Sequence, residues 1–235
     1  MAHSKFTIAQ QLNAAQLAIM NSLADPEIKT AVGQFGYTTA KLNTGKALYE
    51  AALAAYNAAK SQRGDQKAAT AALNAARIQA RDAYQALAQV ARSALSEADL
   101  TTLGLTGKEP RGTAAFIAAA YTLFENAKTV EGLADFGYDA ERLAAELAKI
   151  TAYDQANQAQ ELAKGARQQS TQDQEAALAA MNDWVAQYLK IAKVALRGKK
   201  QLLEKIGVIA RTGKTAAQRG AAAKAAATRA ARQTA

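Results

Sequence analysis

Cysteine is absent from this 235-residue chain, and histidine occurs once, as His3. Without thiols the protein has no disulfide, cysteine nucleophile, iron–sulfur cluster or thiolate-bound zinc. A single histidine close to the N-terminus also leaves Ser–His–Asp triads and histidine-based acid–base catalysis without their usual base. No pair of carboxylates stands out from ordinary solvated helix charges. We therefore expect a protein that is not an enzyme.

Proline and aromatic residues are scarce, with two prolines and 6% aromatics, whereas half of the residues are hydrophobic and many of those are alanine. Such a composition favours helix, and no segment alternates with the period of two that a half-buried strand requires. The longest apolar run, 114–121, is too short to cross a bilayer, and the N-terminal stretch 6–23 is too polar for a signal peptide. These features predict an all-α, cytoplasmic protein without a membrane span.

A three-residue motif occurs twice, as Phe35-Gly36-Tyr37 and, 101 residues later, as Phe136-Gly137-Tyr138. The same spacing relates Lys41-Leu42 to Arg142-Leu143, Gly64 to Gly165 and Leu95 to Leu196, and it becomes 103 near the end of each copy. We interpret the chain as an internal duplication with repeat 1 at 1–105, repeat 2 at 113–208 and a basic tail at 209–235. The segment 106–112, which contains two glycines and a proline, reads as the linker.

Each repeat contains a long stretch of helical periodicity interrupted by one glycine, Gly64 or Gly165. Repeat 2 has the most regular apolar stripe, with steps of three and four through Leu178, Met181, Val185, Tyr188, Ala192 and Ala195. Reading each glycine as a turn gives two long helices per repeat, folded back on one another. The sequence thus predicts an antiparallel bundle of four long helices with short accessory helices.

The repeated aromatic motifs predict corners between helices. Glycine suits a sharp turn, and burial of large rings is the simplest use for aromatics at such positions. By the same reasoning Tyr153, Trp184 and Tyr188 are expected in the core. Ligand binding at Phe35, Gly36 and Tyr37, or at Phe136, Gly137 and Tyr138, is the open alternative.

Two patterns that suggest cofactors are incomplete. A di-iron bundle needs Glu-x-x-His motifs, which a chain whose one histidine is His3 cannot supply. The segment 211–215 ends like a phosphate-binding loop, but Val208 stands where the first glycine is required, and no strand precedes it. We therefore expect no metal and no cofactor.

Positive charge is concentrated at the C-terminal end. The net charge is +9, and residues 197–235 contain ten basic residues against one acid, so residues 1–196 are neutral overall. In composition the segment 209–235 resembles the Ala/Lys/Arg-rich tails of linker histones and some bacterial nucleoid proteins. The resemblance implies contact with nucleic acid through salt-sensitive phosphate binding. The predicted contact residues are Arg211, Lys214, Arg219, Lys224, Arg229 and Arg232.

The sequence therefore favours a non-enzymatic helical scaffold whose tail contacts DNA, RNA or an acidic protein. The alternative is a purely structural module for self-assembly or partner binding, in which the tail only aids solubility. An enzyme that uses carboxylates or an unseen cofactor is the third hypothesis.

Overall fold

The computed structural model describes residues 6–208 and Lys224. Helices account for 82% of these residues and no strand occurs among them, which confirms the all-α prediction. Within this part of the chain, no helix combines the length and the hydrophobicity needed to cross a membrane.

The chain begins with two short helices whose starts are capped by side chains. Helix α1, Ile8–Ala24, follows Thr7, whose hydroxyl accepts from the Gln10 amide in a reciprocal capping box. Helix α2, Pro26–Gly33, follows Asp25, whose carboxylate accepts from the amides of Glu27 and Ile28. Proline at the first position of α2 lacks only an amide hydrogen that would have no partner within the helix.

Two helices of 56 residues each dominate the fold: α3, Thr39–Ala94, and α6, Ala140–Ala195. Gly64 and Gly165 lie inside them, so the turns expected at these glycines, and with them the bundle of four separate long helices, were wrong. A glycine in a helix costs only about 1 kcal/mol relative to alanine, and that is too little to force a turn.

Three further helices connect or follow the long ones: α4, Glu97–Thr102, α5, Thr113–Ala127, and α7, Lys200–Lys205. A single 3-10 turn, Ala134–Phe136, precedes α6. Helices α6 and α7 start 101 and 103 residues after α3 and α4, the same offsets that relate the sequence motifs.

The described residues belong to two compact units, one within 1–54 and 175–235 and the other spanning 55–174. Unit 1 therefore combines the first half of repeat 1 with the second half of repeat 2. Unit 2 combines the remaining halves. Both long helices pass from one unit into the other, so the boundaries of the units differ from those of the repeats.

The core of unit 1 joins α1 and α2 to the start of α3, the end of α6 and α7. Its buried residues contact one another in a single cluster: Ala18, Ile28, Val32, Tyr37, Leu42, Tyr188, Ala192, Leu196, Leu202 and Ile206. Across its surface, Lys205 donates to Asp25 over 2.9 Å and Lys199 pairs with Glu27, so α7 is tied to the start of α2.

The core of unit 2 forms around α5, which contributes Phe116, Ala120, Leu123 and Phe124 to a second cluster. Away from this core the two long helices are polar. No residue is buried in α3 between Ala59 and Ala80, or in α6 between Gln160 and Gln174. Within this stretch Arg167 donates to the Gln66 side chain over 2.7 Å, and these two residues are 101 positions apart, the spacing of the repeated sequence motif.

Candidate functional site

The predicted contact residues of the tail fall mostly outside the described residues. Arg211, Lys214, Arg219, Arg229 and Arg232 lie there, as does the segment 211–215 that resembles a phosphate-binding loop. Lys224 is described, and it is helical and exposed.

The two aromatic corners have nearly the same geometry. Gly36 and Gly137 adopt φ values of 81° and 79°. Tyr37 and Tyr138 each donate their backbone N–H to the carbonyl five residues earlier over 3.1 Å, the bond that closes a Schellman turn. Glycine is favoured at these positions because residues with a Cβ are strained at positive φ.

Both corner tyrosines are buried, and each lies under a cation from the following helix. Lys41 Nζ is 4.2 Å from the ring centroid of Tyr37, and Arg142 Cζ is 4.3 Å from that of Tyr138. The corner phenylalanines differ, because Phe35 is 47% and Phe136 is 55% exposed. The tyrosines therefore belong to the core. The phenylalanines expose apolar surface at the two corners, 101 residues apart.

An aromatic cluster in unit 1 joins the first corner to α6. Trp184 stacks on Tyr188 with centroids 5.3 Å apart, and Tyr37 packs against both rings. The hydroxyl of Tyr188 is hydrogen-bonded to Ser22, whose Oγ also donates to the carbonyl of Ala18. Burial raises the pKa of Tyr37 and Tyr188 above the ordinary value. The cluster therefore has the properties of a packed core in which the buried hydroxyls of Tyr188 and Ser22 are hydrogen-bonded.

Unit 2 has a comparable cluster in which Phe116 packs between Tyr84 and Tyr153. Arg81 covers the Phe116 ring and forms an ion pair with Glu109 at 2.7 Å, which fixes the linker against α3. Burial, and then the neighbouring Glu109 carboxylate, raises the pKa of Tyr84. This ion pair stabilises the path of the linker.

Among the described residues no three His, Cys, Asp or Glu side chains come close enough to hold a metal ion. Several surface cavities are open to solvent and lined mainly by polar residues. One of about 690 Å³ is lined by Gln66, Lys164, Arg167, Gln168, Thr171 and Gln172. None of these residues is buried, so the cavity lacks the enclosed apolar lining typical of a small-molecule site.

The most distinctive surface is a group of four cations at the end of α6 and the start of α7: Lys190, Lys193, Arg197 and Lys200, here called the basic face. Lys190 and Lys193 lie three residues apart on one side of α6, and Arg197 lies in the turn that follows the helix. All four side chains are exposed, and they form no ion pair within the described part of the chain. Between Trp184 and Leu203 there are five basic residues and no acid.

Sequence reasoning missed the basic face because it assigned polyanion contacts only to residues after 208. The signal was present, since the cations at 190, 193 and 197 follow helical spacing opposite the apolar stripe through Tyr188, Ala192 and Ala195.

The sequence matches no protein-family model, no curated protein and no solved structure.

Proposed function

We propose that this protein is a non-enzymatic helical scaffold whose basic C-terminal arm, residues 209–235, contacts nucleic acid or another polyanion. The arm contains six basic residues and no acid. The observation that carries the proposal is the basic face, whose four cations are exposed, form no ion pair among the described residues and precede the arm along the chain.

The charge distribution supports a dedicated contact region. Residues 1–196 are neutral overall, and the excess charge of the chain lies after that point. Cations gathered in one region displace the counterions of a phosphate backbone, which gives binding that weakens as salt rises.

The test compares the full-length protein with a variant in which the six arm cations are replaced by glutamine. Fluorescence anisotropy with duplex DNA and duplex RNA measures the affinity at several salt concentrations. We expect the arm variant to bind more weakly, with a shallower dependence on salt. Equal affinity of the two proteins, or no binding by either, would contradict a role for the arm.

A second candidate function is self-assembly or partner binding by the helical units alone. It is favoured by Phe35 and Phe136, which are about half exposed at equivalent corners. Light scattering of the wild type and of a Phe35→Ala/Phe136→Ala variant tests this function. An oligomer that dissociates in the variant supports it, and a wild-type monomer argues against it.

We also propose that the architecture arose by internal duplication. Support comes from the equal lengths of α3 and α6, the shared offset of 101 and the matching corner turns. In this view the two halves of each repeat became distributed between the two units.

A further inference from the structure

We infer that the basic face binds the phosphate backbone of double-stranded nucleic acid. The inference rests on the proposed function and adds to it a folded surface, separate from the arm, that makes phosphate contacts of its own.

The dimensions of the basic face suit a duplex backbone. Lys190 lies in α6 and Arg197 lies seven residues later, in the turn that follows the helix, a separation of about 10 Å at the helical rise. Phosphates on one strand of a duplex follow one another every 3.4 Å or so along the axis, so this distance spans about three of them. Lys200, exposed at the start of α7, follows Arg197 by three residues along the chain.

The fold does not require these charges, as repeat 1 demonstrates. The residues equivalent to the basic face there are Gln89, Arg92, Ser96 and Glu97, by the offset of 101 in the long helices and 103 in the short ones. They occur at the same place in the same pair of elements, the end of α3 and the start of α4, and carry no net charge. The cations in repeat 2 are therefore a property of its surface, and binding explains them better than folding does.

The surroundings favour a duplex over a single strand or a membrane. Non-specific binding of single strands relies on aromatic side chains that stack on bases. The aromatic residues nearest the basic face in the sequence, Trp184 and Tyr188, stack on one another in the aromatic cluster of unit 1. Binding to a membrane surface needs bulky apolar anchors, and among the described residues after 184 only Val194 is a large exposed hydrophobic.

The residues of repeat 1 are used as the substitutions in the test. The variant Lys190→Gln/Arg197→Ser/Lys200→Glu gives three positions of the basic face the residues of repeat 1, leaves the cation at Lys193 and lowers the net charge by four. A control, Lys60→Gln/Arg77→Gln/Lys108→Glu, makes the same change in charge at exposed positions of unit 2 that form no ion pair among the described residues. Both variants are full-length, and circular dichroism checks that their helix content equals that of the wild type.

Binding is measured by anisotropy with a DNA duplex of about 20 base pairs between roughly 50 and 200 mM salt, with a thymidine single strand of equal length for comparison. For the basic-face variant we expect an affinity at least about tenfold lower, and a slope of log K against log salt that is less steep by up to about 2.7, because three phosphate contacts are lost. The control variant should change the affinity by less than about threefold, and the wild type should prefer the duplex.

The outcomes separate this inference from the proposed function. If the basic-face variant binds like the wild type while the arm variant binds weakly, the inference fails and the function of the arm stands. If the control variant loses as much affinity as the basic-face variant, net charge is the cause and the inference also fails. Wild-type binding to anionic vesicles without binding to the duplex would overturn it in favour of a membrane surface. No binding by the wild type to any polyanion would overturn both.

Discussion

The indole of Trp184 lies directly against Gly45, so closely that a Cβ at position 45 would overlap three of its ring carbons. Replacing glycine by alanine inside a helix normally stabilises it by about 1 kcal/mol. At Gly45 the steric overlap opposes that gain, and overpacking typically costs about 1–3 kcal/mol. We predict that Gly45→Ala lowers the free energy of unfolding, as measured by urea denaturation.

The matched controls are Gly64→Ala and Gly165→Ala, because both glycines are helical and a Cβ at either would contact nothing within 4 Å. Each should raise the stability by about 1 kcal/mol. Stabilisation by Gly45→Ala of the same size as in these controls would mean that the indole moves aside freely.

The two corner glycines should respond alike to substitution. Gly36→Ala and Gly137→Ala place a Cβ at positive φ, where strain costs about 1–2 kcal/mol. Gly33→Ala is the control, since Gly33 has neither positive φ nor a neighbour within 4 Å of an added Cβ. Thermal unfolding should show a lower Tm for both corner variants and no decrease for the control. A loss in only one corner would contradict their equivalence.

Alkaline pH should destabilise the fold through its buried tyrosines. Burial raises the pKa of Tyr37, Tyr84 and Tyr188 above the ordinary value of 10.0. Below about pH 10 these phenols are neutral in both the folded and the unfolded states. Above it the unfolded chain loses protons first, so the free energy of unfolding falls until the pH passes the higher folded-state pKa values.

The measurement is urea denaturation between about pH 8 and 11, for the wild type and for Tyr37→Phe/Tyr84→Phe/Tyr188→Phe. The variant should lose less stability per pH unit over that range. It should also be less stable at neutral pH by about 1 kcal/mol, because Tyr188 no longer bonds to Ser22. Identical pH slopes for the two proteins would refute the role of the tyrosines.

Cutting the linker should leave the protein assembled. A protease site inserted between Arg111 and Gly112, which are exposed in the linker, would divide the chain into its two repeats. Because each unit contains residues from both repeats, the two fragments should elute together on gel filtration and separate only in denaturant. Separation of the fragments under native conditions would contradict the division into units.

The sequence was sufficient to predict the helical class and the corners, because these depend on local signals. Local signals also mark the starts of helices. Asp25-Pro26-Glu27 is such a signal, and the structure begins α2 at Pro26 with Asp25 as the cap. The glycines at the corners are another, since their positive φ values agree with the turns expected there.

The path of the long helices could not be predicted because the two segments that we interpret as repeats have similar apolar patterns. The apolar stripe at the start of α3 can be covered by the end of the same repeat, through a turn at Gly64, or by the equivalent segment of the other repeat. Periodicity is the same in both cases, and the glycine penalty of about 1 kcal/mol is too small to decide. The site prediction stopped at the arm for a different reason, since it assigned the excess charge to residues after 208, although the helical spacing of Lys190, Lys193 and Arg197 is visible in the sequence.

The division of unit 1 between two distant segments has a consequence for synthesis on the ribosome. Helices α1 and α2 emerge early, but the residues that complete their unit begin only at Glu175, after 120 intervening residues. At a synthesis rate of about 5–20 residues per second, that delay is roughly 6 to 24 s. During this time the apolar sides of α1 and α2 are not covered by the end of α6 and by α7. Unit 2 is contiguous in the chain and can fold before unit 1 is complete. The apolar surface of the first helices is therefore exposed for chaperone binding while unit 2 folds.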